Sequence, residues 1–173
     1  EVERLLSPKT KAVCVVNYGG HSTDLELIQK ICDQKGVHLL EDAAQSVGST
    51  YKNKPLGTFG SFSCLSFHET KNLTSGEGGA LVINDKSYFE RAYVIRDKGT
   101  NRQAFLKGEV DKYTWVDLGS SYCLSEFNAM YLYPQVTRVS EITNARGRVW
   151  KSYEKELSSS LEKCGFQIIK TPN

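Results

Sequence analysis

The side chains best suited to chemistry lie in two short runs of the chain. One run, residues 66–72, reads Ser-Phe-His-Glu-Thr-Lys-Asn and places Lys71 before a glycine-rich turn at 76–79. The other run, residues 41–46, begins with Glu41 and Asp42. A lysine amine forms a Schiff base with an aldehyde, and a carboxylate keeps a pyridine nitrogen protonated so that the ring accepts electrons. Together the two runs predict an enzyme that uses pyridoxal phosphate.

Each of these residues also has a simpler explanation. A loop lysine is most often a solvated surface charge, and an aspartate before small residues is most often a turn or cap residue. Gln45, three residues after Asp42, could donate an amide hydrogen to a phenolate oxygen or simply lie on the surface. The glycines at 76–79 would let the backbone approach a ring, or only turn tightly into the next strand. The pattern also leaves open whether Glu41 or Asp42 faces a ligand.

The spacing of histidines and glycines disfavours metal and phosphate-loop chemistry. His68 and Glu69 do not form a zinc-protease helix motif, because Asn72 occupies the position of the second histidine. The chain has no Gly-x-x-x-x-Gly-Lys-[Ser/Thr] loop. The five cysteines are scattered singly, and Cys14 and Cys64 fall inside apolar strand patterns. We therefore expect buried, reduced thiols and no metal site.

A parallel sheet would bring the candidate residues together. Residues 12–16 form an apolar run with three valines, typical of a strand buried on both faces. A capping box at 23–26, with Thr23 first, starts a helix that Gly36 ends, and the apolar run 37–40 predicts a second strand. Such a unit is a right-handed parallel crossover. Asp42 would then lie just past the carboxyl end of a strand, where open α/β sheets bind ligands.

The rest of the chain predicts further α/β elements. We expect a short hairpin at 49–57, strands at 61–67 and 80–83, and a helix at 85–98 closed by Gly99. The long polar stretch 100–112 favours a mobile or partner-facing loop. A helical pattern begins at Ser125, is bent or divided by Pro134, and continues to about Lys163.

Composition narrows the class of protein. The chain has 173 residues, of which 39% are hydrophobic and 24% charged, with a net charge of +2. That charge argues against nucleic acid or an anionic membrane as a partner, and no apolar run is long enough to span a bilayer. We therefore expect a cytoplasmic protein. Because the chain lacks a first methionine and ends just after an apparent strand start at 166–169, we expect a fragment.

The two chemical runs resemble the aspartate–glutamine and lysine motifs of the DegT/DnrJ/EryC1/StrS family of sugar aminotransferases. The resemblance covers nearly the whole chain. It extends to Val-Val-Asn-Tyr-Gly-Gly at 15–20, Asp-Lys-Gly-Thr-Asn-Arg at 97–102, Asp-Lys-Tyr-Thr-Trp at 111–115 and Gly-Ser-Ser-Tyr at 119–122. It implies an α/β fold, namely part of the large domain of a fold-type I PLP-dependent transferase with a mostly parallel central sheet and flanking helices. Residues 1–133 would be a partial cofactor-binding domain, and 134–173 a long helix leading toward a C-terminal small domain that is mostly absent.

The resemblance also implies a role for each candidate residue. Lys71 would bind the cofactor aldehyde and move the substrate proton, Asp42 would pair with the pyridine nitrogen, and Gln45 with the phenolic oxygen. Ser66 would bind the cofactor phosphate. Ser121 would replace an asparagine that, in many relatives, reaches the phosphate of the neighbouring subunit's cofactor. A further residue, His68, would face the sugar substrate or the cofactor.

The implied reaction moves an amino group from L-glutamate to a nucleotide-linked 4-keto-6-deoxyhexose. The segments around His68 and Lys112 are most similar to the subfamily that makes dTDP-4-amino-4,6-dideoxygalactose for enterobacterial common antigen. Retention of Lys71 favours transamination over sugar dehydration, because dehydrating relatives carry histidine there. The resemblance implies a homodimer with a shared active site and members roughly twice this length. Dehydratase or lyase chemistry on the same fold, or an inactive dimerisation module, remain alternatives.

Overall fold

The computed structural model describes residues 1–167, so the second half of the strand start predicted at 166–169 lies outside the described residues. The strands are β1 (Ala12–Val16), β2 (His38–Asp42), β3 (Thr50–Tyr51), β4 (Lys54–Pro55), β5 (Phe62–Ser66) and β6 (Gly79–Ile83). The helices are α1 (Val2–Leu5), α2 (Leu25–Lys35), α3 (Phe89–Arg96), α4 (Arg102–Leu106), α5 (Glu126–Val136) and α6 (Val139–Lys163).

A four-stranded sheet in the order β1-β2-β5-β6 forms the centre of the fold. The pairs β1–β2 and β2–β5 are parallel, and the edge strand β6 runs antiparallel to β5. The predicted α/β class with a mostly parallel sheet is therefore confirmed. The strands β3 and β4 form the predicted hairpin as a separate antiparallel pair. No helix within residues 1–167 is both long and apolar enough to cross a membrane.

Helix α2 begins one residue later than the capping box predicts. Its N-cap is Asp24, whose side chain accepts a hydrogen bond from the Leu27 amide, so the prediction of Thr23 was wrong. Asp24 is favoured because its carboxylate also accepts a bond from the Tyr51 hydroxyl, 2.8 Å away, which ties the hairpin to the helix. Gly36 ends the helix in the left-handed conformation, as predicted.

The two faces of the sheet differ in burial. On the covered face, Val15 and Leu39 pack against Leu25 and Cys32 of α2, together with Phe59. The opposite face is covered by Tyr88, which packs on Phe62 and lies near His38, at the amino ends of β2 and β5.

The carboxyl half of that second face is open. There Val16 is 53% exposed and Leu81 59% exposed. The prediction that β1 is buried on both faces was therefore wrong. The thiols of Cys14 and Cys64 are free and exposed on this face, which also contradicts their predicted burial. We call this surface the open face.

The second half of the chain adds helices around a smaller apolar cluster. Phe67, Leu73 and Leu132 form its buried centre, with α6 packed beside it through Val139 and Ile142. The predicted helix at 85–98 is shorter, since α3 is preceded by a 3₁₀ turn that Asp85 caps. The polar stretch 100–112, predicted to be a loop, contains the helix α4. The helical stretch predicted to be bent or divided by Pro134 is divided into α5 and α6, with the break beginning three residues after Pro134.

Candidate active site

Adjacent carboxylates at the end of β2 point to opposite faces of the sheet, as alternation along a strand requires. Glu41 lies on the covered face and is 2% exposed. Asp42 pairs with Cys64 in the parallel register and lies on the open face. Burial therefore distinguishes the two carboxylates, and Asp42 is the one that lies on the open face.

Three hydrogen bonds occupy Glu41. Its carboxylate accepts from the Asn17 side-chain amide at 2.9 Å, the Gly57 amide at 3.0 Å and the Phe59 amide at 2.5 Å. These donors come from two segments that meet beneath the sheet, the turn after β1 and residues 57–59 after β4. Glu41 is therefore a structural brace, which sequence reasoning did not distinguish from Asp42.

Asp42 has much looser surroundings. Its Oδ1 accepts from the Ala44 amide at 3.1 Å and from the Cys64 thiol at 3.7 Å. Within residues 1–167, no hydrogen bond reaches its other oxygen, Oδ2. Although Cys64 is exposed as a residue, partial desolvation of its thiol, followed by the nearby charge of Asp42, raises the pKa of that thiol, so it stays protonated and donates. Asp42 thus offers an acceptor to the open face.

The turn after β2 fixes Gln45 beside Asp42. The Gln45 Oε1 atom accepts from the Gly19 amide at 2.7 Å, in the turn that follows β1. A backbone amide requires an acceptor, so the orientation of the Gln45 side chain is determined and its Nε2 remains a donor. Asn17 joins the two turns through its backbone. Its backbone N–H donates to the Asp42 carbonyl, and its backbone carbonyl accepts a hydrogen bond from Ser46 Oγ.

Lys71 lies in the loop between β5 and β6, which we call the lysine loop (residues 67–78). Ser66, the last residue of β5, shares the open face with Asp42 and accepts a hydrogen bond from the His68 amide at 3.3 Å. The Lys71 amide in turn donates to the His68 carbonyl, which closes a tight turn. The Asn72 side chain donates to the Val47 carbonyl, in the chain that follows Gln45, at 3.4 Å. Asp42, Gln45, Ser66 and Lys71 therefore all lie at the carboxyl edge of β2 and β5.

Two groups of Thr70 contact Nδ1 of His68. The Thr70 amide donates to this atom at 3.2 Å and the Thr70 hydroxyl lies 2.9 Å from it, an arrangement that suits a neutral ring with its proton on Nε2. Nε2 lies 3.7 Å from the Glu77 carboxylate, on the other arm of the lysine loop. With 40% of its side chain exposed, His68 can still meet a ligand.

Ser121 lies in a different part of the molecule. It pairs with Asp97, at the end of α3, through an isolated β-bridge, and it is exposed. This pairing ties Ser121 to the end of α3 and does not bring it to the other five candidate residues.

The turn beside Ser121 is held by a buried carboxylate. Asp97, whose side chain is 2% exposed, accepts from Arg96, Gln103 and Cys123. These contacts, led by the Arg96 guanidinium, hold the pKa of Asp97 at about 2. Gly99 and Gly119 complete the turn, because a side chain at either would collide with the opposing backbone.

The donors and acceptors at the sheet edge fit pyridoxal phosphate. Asp42 Oδ2 can accept from a protonated ring nitrogen, and Gln45 Nε2 can donate to a phenolate oxygen. The Ser66 hydroxyl hydrogen is free for a phosphate, and Lys71 has no ion pair within the described residues. No group of three or more metal-binding side chains occurs within residues 1–167.

Sequence reasoning missed the residues that hold the lysine loop. Asn128 and Gln135, both on α5, bond its backbone from more than 50 residues away. No local pattern could reveal them, because the contacts arise only when α5 packs on the loop.

Comparison with known proteins extends over nearly the whole chain. The DegT/DnrJ/EryC1/StrS aminotransferase family profile matches residues 1–172. The UDP-4-amino-4,6-dideoxy-N-acetyl-beta-L-altrosamine transaminase of Helicobacter pylori is 31% identical over 154 residues, which are 89% of this chain and 40% of that protein. The GDP-perosamine synthase of Vibrio cholerae is 31% identical over 159 residues, 91% of this chain and 41% of that protein.

The fold comparison agrees. The structure of Helicobacter pylori PseC, an aminotransferase involved in the biosynthesis of pseudoaminic acid, superposes with a TM-score of 0.82 at 29% identity. It covers 90% of this chain and 41% of PseC. The chain thus spans about two fifths of the length of these relatives.

Proposed function

The chain belongs to the DegT/DnrJ/EryC1/StrS aminotransferase family, and from that premise we propose that the whole protein aminates a nucleotide-linked 4-keto-6-deoxyhexose with L-glutamate as donor. Pyridoxal phosphate is the cofactor of this family. The observation that supports the proposal is that Asp42, Gln45, Ser66 and Lys71 lie at the ends of the parallel strands β2 and β5 or in the loops that follow them, at one edge of the sheet.

In this proposal Asp42 and Lys71 have the central roles. When bound, pyridoxal phosphate supplies an aldehyde and an electron-accepting ring. Asp42 Oδ2 would accept a hydrogen bond from the ring N–H, and its negative charge would keep that nitrogen protonated. Lys71 would bind the aldehyde through its Nζ and, as a free amine, would take the proton from the amino donor's Cα.

The remaining edge residues orient the cofactor. Gln45 Nε2 donates to the phenolate oxygen, and the Gly19 amide keeps that nitrogen pointed away from the backbone. Ser66 Oγ donates to the phosphate. His68 faces the sugar substrate, where its Nε2 proton and the Glu77 carboxylate can bind hydroxyl groups.

The identity of the sugar is the finer part of the proposal. The relatives' names specify one UDP-linked and one GDP-linked sugar, so the nucleotide varies among similar proteins. The segments around His68 and Lys112 support a substrate of the dTDP-4-amino-4,6-dideoxygalactose type, made for enterobacterial common antigen in the cytoplasm. The role of Ser121 is also a finer part of the proposal. In a homodimer its hydroxyl would donate a hydrogen bond to the phosphate of the cofactor in the neighbouring subunit.

The test is an amino-transfer assay on the full-length protein. Glutamate and pyridoxal phosphate are supplied with dTDP-, UDP- and GDP-linked 4-keto-6-deoxyhexoses, and 2-oxoglutarate and the amino sugar are measured by mass spectrometry. We expect both products in equal amounts, with the dTDP sugar preferred. A dehydrated sugar without 2-oxoglutarate would overturn transamination in favour of dehydratase chemistry. No reaction with any sugar would overturn the substrate class.

A further inference from the structure

We propose that Asn128 and Gln135 of α5 are positioning residues for the reaction, because they clamp the lysine loop and thereby set the place of Lys71. This inference rests on the proposed function, since it concerns the reactivity of Lys71. We call the two side chains the α5 clamp. They lie seven residues apart, two turns along one helix, so they face the same side.

Gln135 makes the more selective contact. Its Oε1 accepts from the Thr74 amide at 3.0 Å, while its Nε2 donates to the Thr74 carbonyl at 2.8 Å. Nε2 also donates to the Tyr131 carbonyl at 3.0 Å, which fixes the side chain against its own helix. One amide therefore satisfies both backbone groups of a single loop residue, and a carboxylate or an apolar side chain could not do so.

Asn128 holds the far arm of the loop. Its Nδ2 donates to the Ser75 carbonyl at 2.6 Å and to the Glu77 carbonyl at 3.1 Å. Asn128 is fixed in turn by Ser125, the N-cap of α5, whose hydroxyl lies 2.5 Å from its Oδ1. The clamp thus holds two consecutive residues of the loop, Thr74 and Ser75, and also Glu77.

The loop's own hydrogen bonds gather on Phe67 and leave both backbone groups of Thr74 to the clamp. Gly76 and Gly78 have φ values of 81° and 150°, in the region that glycine alone adopts easily. Within the loop, the Ser75 amide and the Thr74 and Ser75 hydroxyls converge on one carbonyl, that of Phe67.

Lys71 lies between the two fixed parts of the loop. On one side, its amide is bonded to the His68 carbonyl. On the other, Leu73 is buried against Leu132 of α5, and Thr74 is held by Gln135. A shift of Thr74 would therefore move Lys71 relative to Asp42. Because catalytic rates respond to displacements of about 1 Å, the clamp should affect chemistry more than stability.

The test compares Gln135→Met and Asn128→Leu with a matched control, Gln29→Met, in the full-length protein. Gln29 also accepts from a backbone amide, that of Gly60, at 2.9 Å, but it lies on α2. A milder variant, Gln135→Glu, keeps the acceptor for Thr74 and loses the donor. Two readouts are used: hydrogen exchange at Thr74 in the cofactor-free protein, and the rate at which added pyridoxal phosphate becomes borohydride-reducible on Lys71.

We expect Gln135→Met to speed exchange at Thr74 by about 5-fold to 10-fold, the effect of one lost hydrogen bond. We expect adduct formation on Lys71 to slow by about 10-fold in both clamp variants, by less in Gln135→Glu, and to be unchanged in Gln29→Met. Faster exchange with an unchanged rate on Lys71 would reduce the clamp to a structural role and overturn the inference alone. If the wild-type protein forms no adduct, the proposed function fails, and this inference fails with it.

Discussion

Glu41 and Asp42 are neighbours in the chain, yet the two faces of the sheet make them unlike. On the covered face, Glu41 is 2% exposed and accepts three hydrogen bonds from within the chain. On the open face, Asp42 accepts one backbone amide and one thiol and keeps an oxygen free. The covered face therefore uses its carboxylate for folding, and the open face leaves its carboxylate for a ligand.

The same division holds for the groups around them. Asn17, which bonds Glu41, is fully buried, whereas Ser66 and Lys71 at the open edge keep donors without partners in the described residues. Residues of the covered face should thus change stability when substituted, and those of the open edge should change chemistry. Each substitution below tests one side of that contrast.

The largest effect is expected from Lys71→Ala. It removes the amine to which the proposal assigns the Schiff base, so turnover should fall by at least about 10⁴-fold. The free energy of unfolding should change by less than about 1 kcal/mol, because Lys71 makes no ion pair within residues 1–167. Steady-state kinetics and urea unfolding measure the two quantities. Lys86→Ala, at an exposed lysine, is the control and should alter neither.

Glu41→Ala tests the covered face. It leaves three buried donors without an acceptor, and we expect a loss of about 3–5 kcal/mol in the free energy of unfolding. Glu41→Gln keeps the shape and one acceptor, so its loss should be smaller. Urea unfolding followed by circular dichroism measures both. A loss below about 1 kcal/mol for Glu41→Ala would contradict the bracing role.

Asp42→Asn tests the open face with a substitution of equal size. A neutral amide cannot hold the ring nitrogen protonated, so the rate should fall about 10²-fold or more while stability stays nearly constant. Kinetics at saturating pyridoxal phosphate separate this effect from weaker binding. Near-normal rates would mean that the wrong carboxylate has been assigned to the cofactor.

Asp97 extends the contrast to a buried carboxylate outside the sheet. Its pKa is about 2 in the folded chain against an ordinary value of 3.8, so its folded pKa is depressed. It therefore stabilises the fold above about pH 4, and that contribution, about 2 kcal/mol, disappears as the pH falls through 2. Urea unfolding is measured at several pH values for the wild type and for Asp97→Asn. The difference between their free energies of unfolding isolates the contribution of Asp97. A difference that stays constant with pH would refute the linkage.

The sequence predicted the edge of the sheet well because local signals mark it. An apolar run followed directly by Asp42, and a lysine between a strand and a glycine turn, are patterns of neighbouring residues. Lys71 follows β5 as the sequence predicted, and Asp42 is the last residue of β2, whereas the sequence predicted it just past the strand end. The β1-α2-β2 unit was predictable for the same reason. Gly36, which ends α2, and the spacing of the apolar residues are signals within one short stretch of sequence.

What the sequence could not resolve depends on tertiary contact. Strand β2 carries Leu39 and Leu40, one for each face, so alternation alone did not say whether Glu41 or Asp42 faces outward. Apolar runs predicted burial of Cys14 and Cys64, but burial depends on what packs against a face. The roles of Asp42, Gln45, Ser66, Lys71, His68 and Ser121 and the division at residue 134 remain predictions.

The most direct test is to add pyridoxal phosphate to the chain, record its absorbance before and after borohydride, and identify the modified peptide by mass spectrometry. We predict a band near roughly 410–430 nm and one reduced adduct, on Lys71. Asp42→Asn should shift the band, and Glu41→Gln should leave it in place. The full-length protein is tested in parallel. An adduct on another lysine, or none on either protein, would contradict the assignment of this sheet edge as the active site.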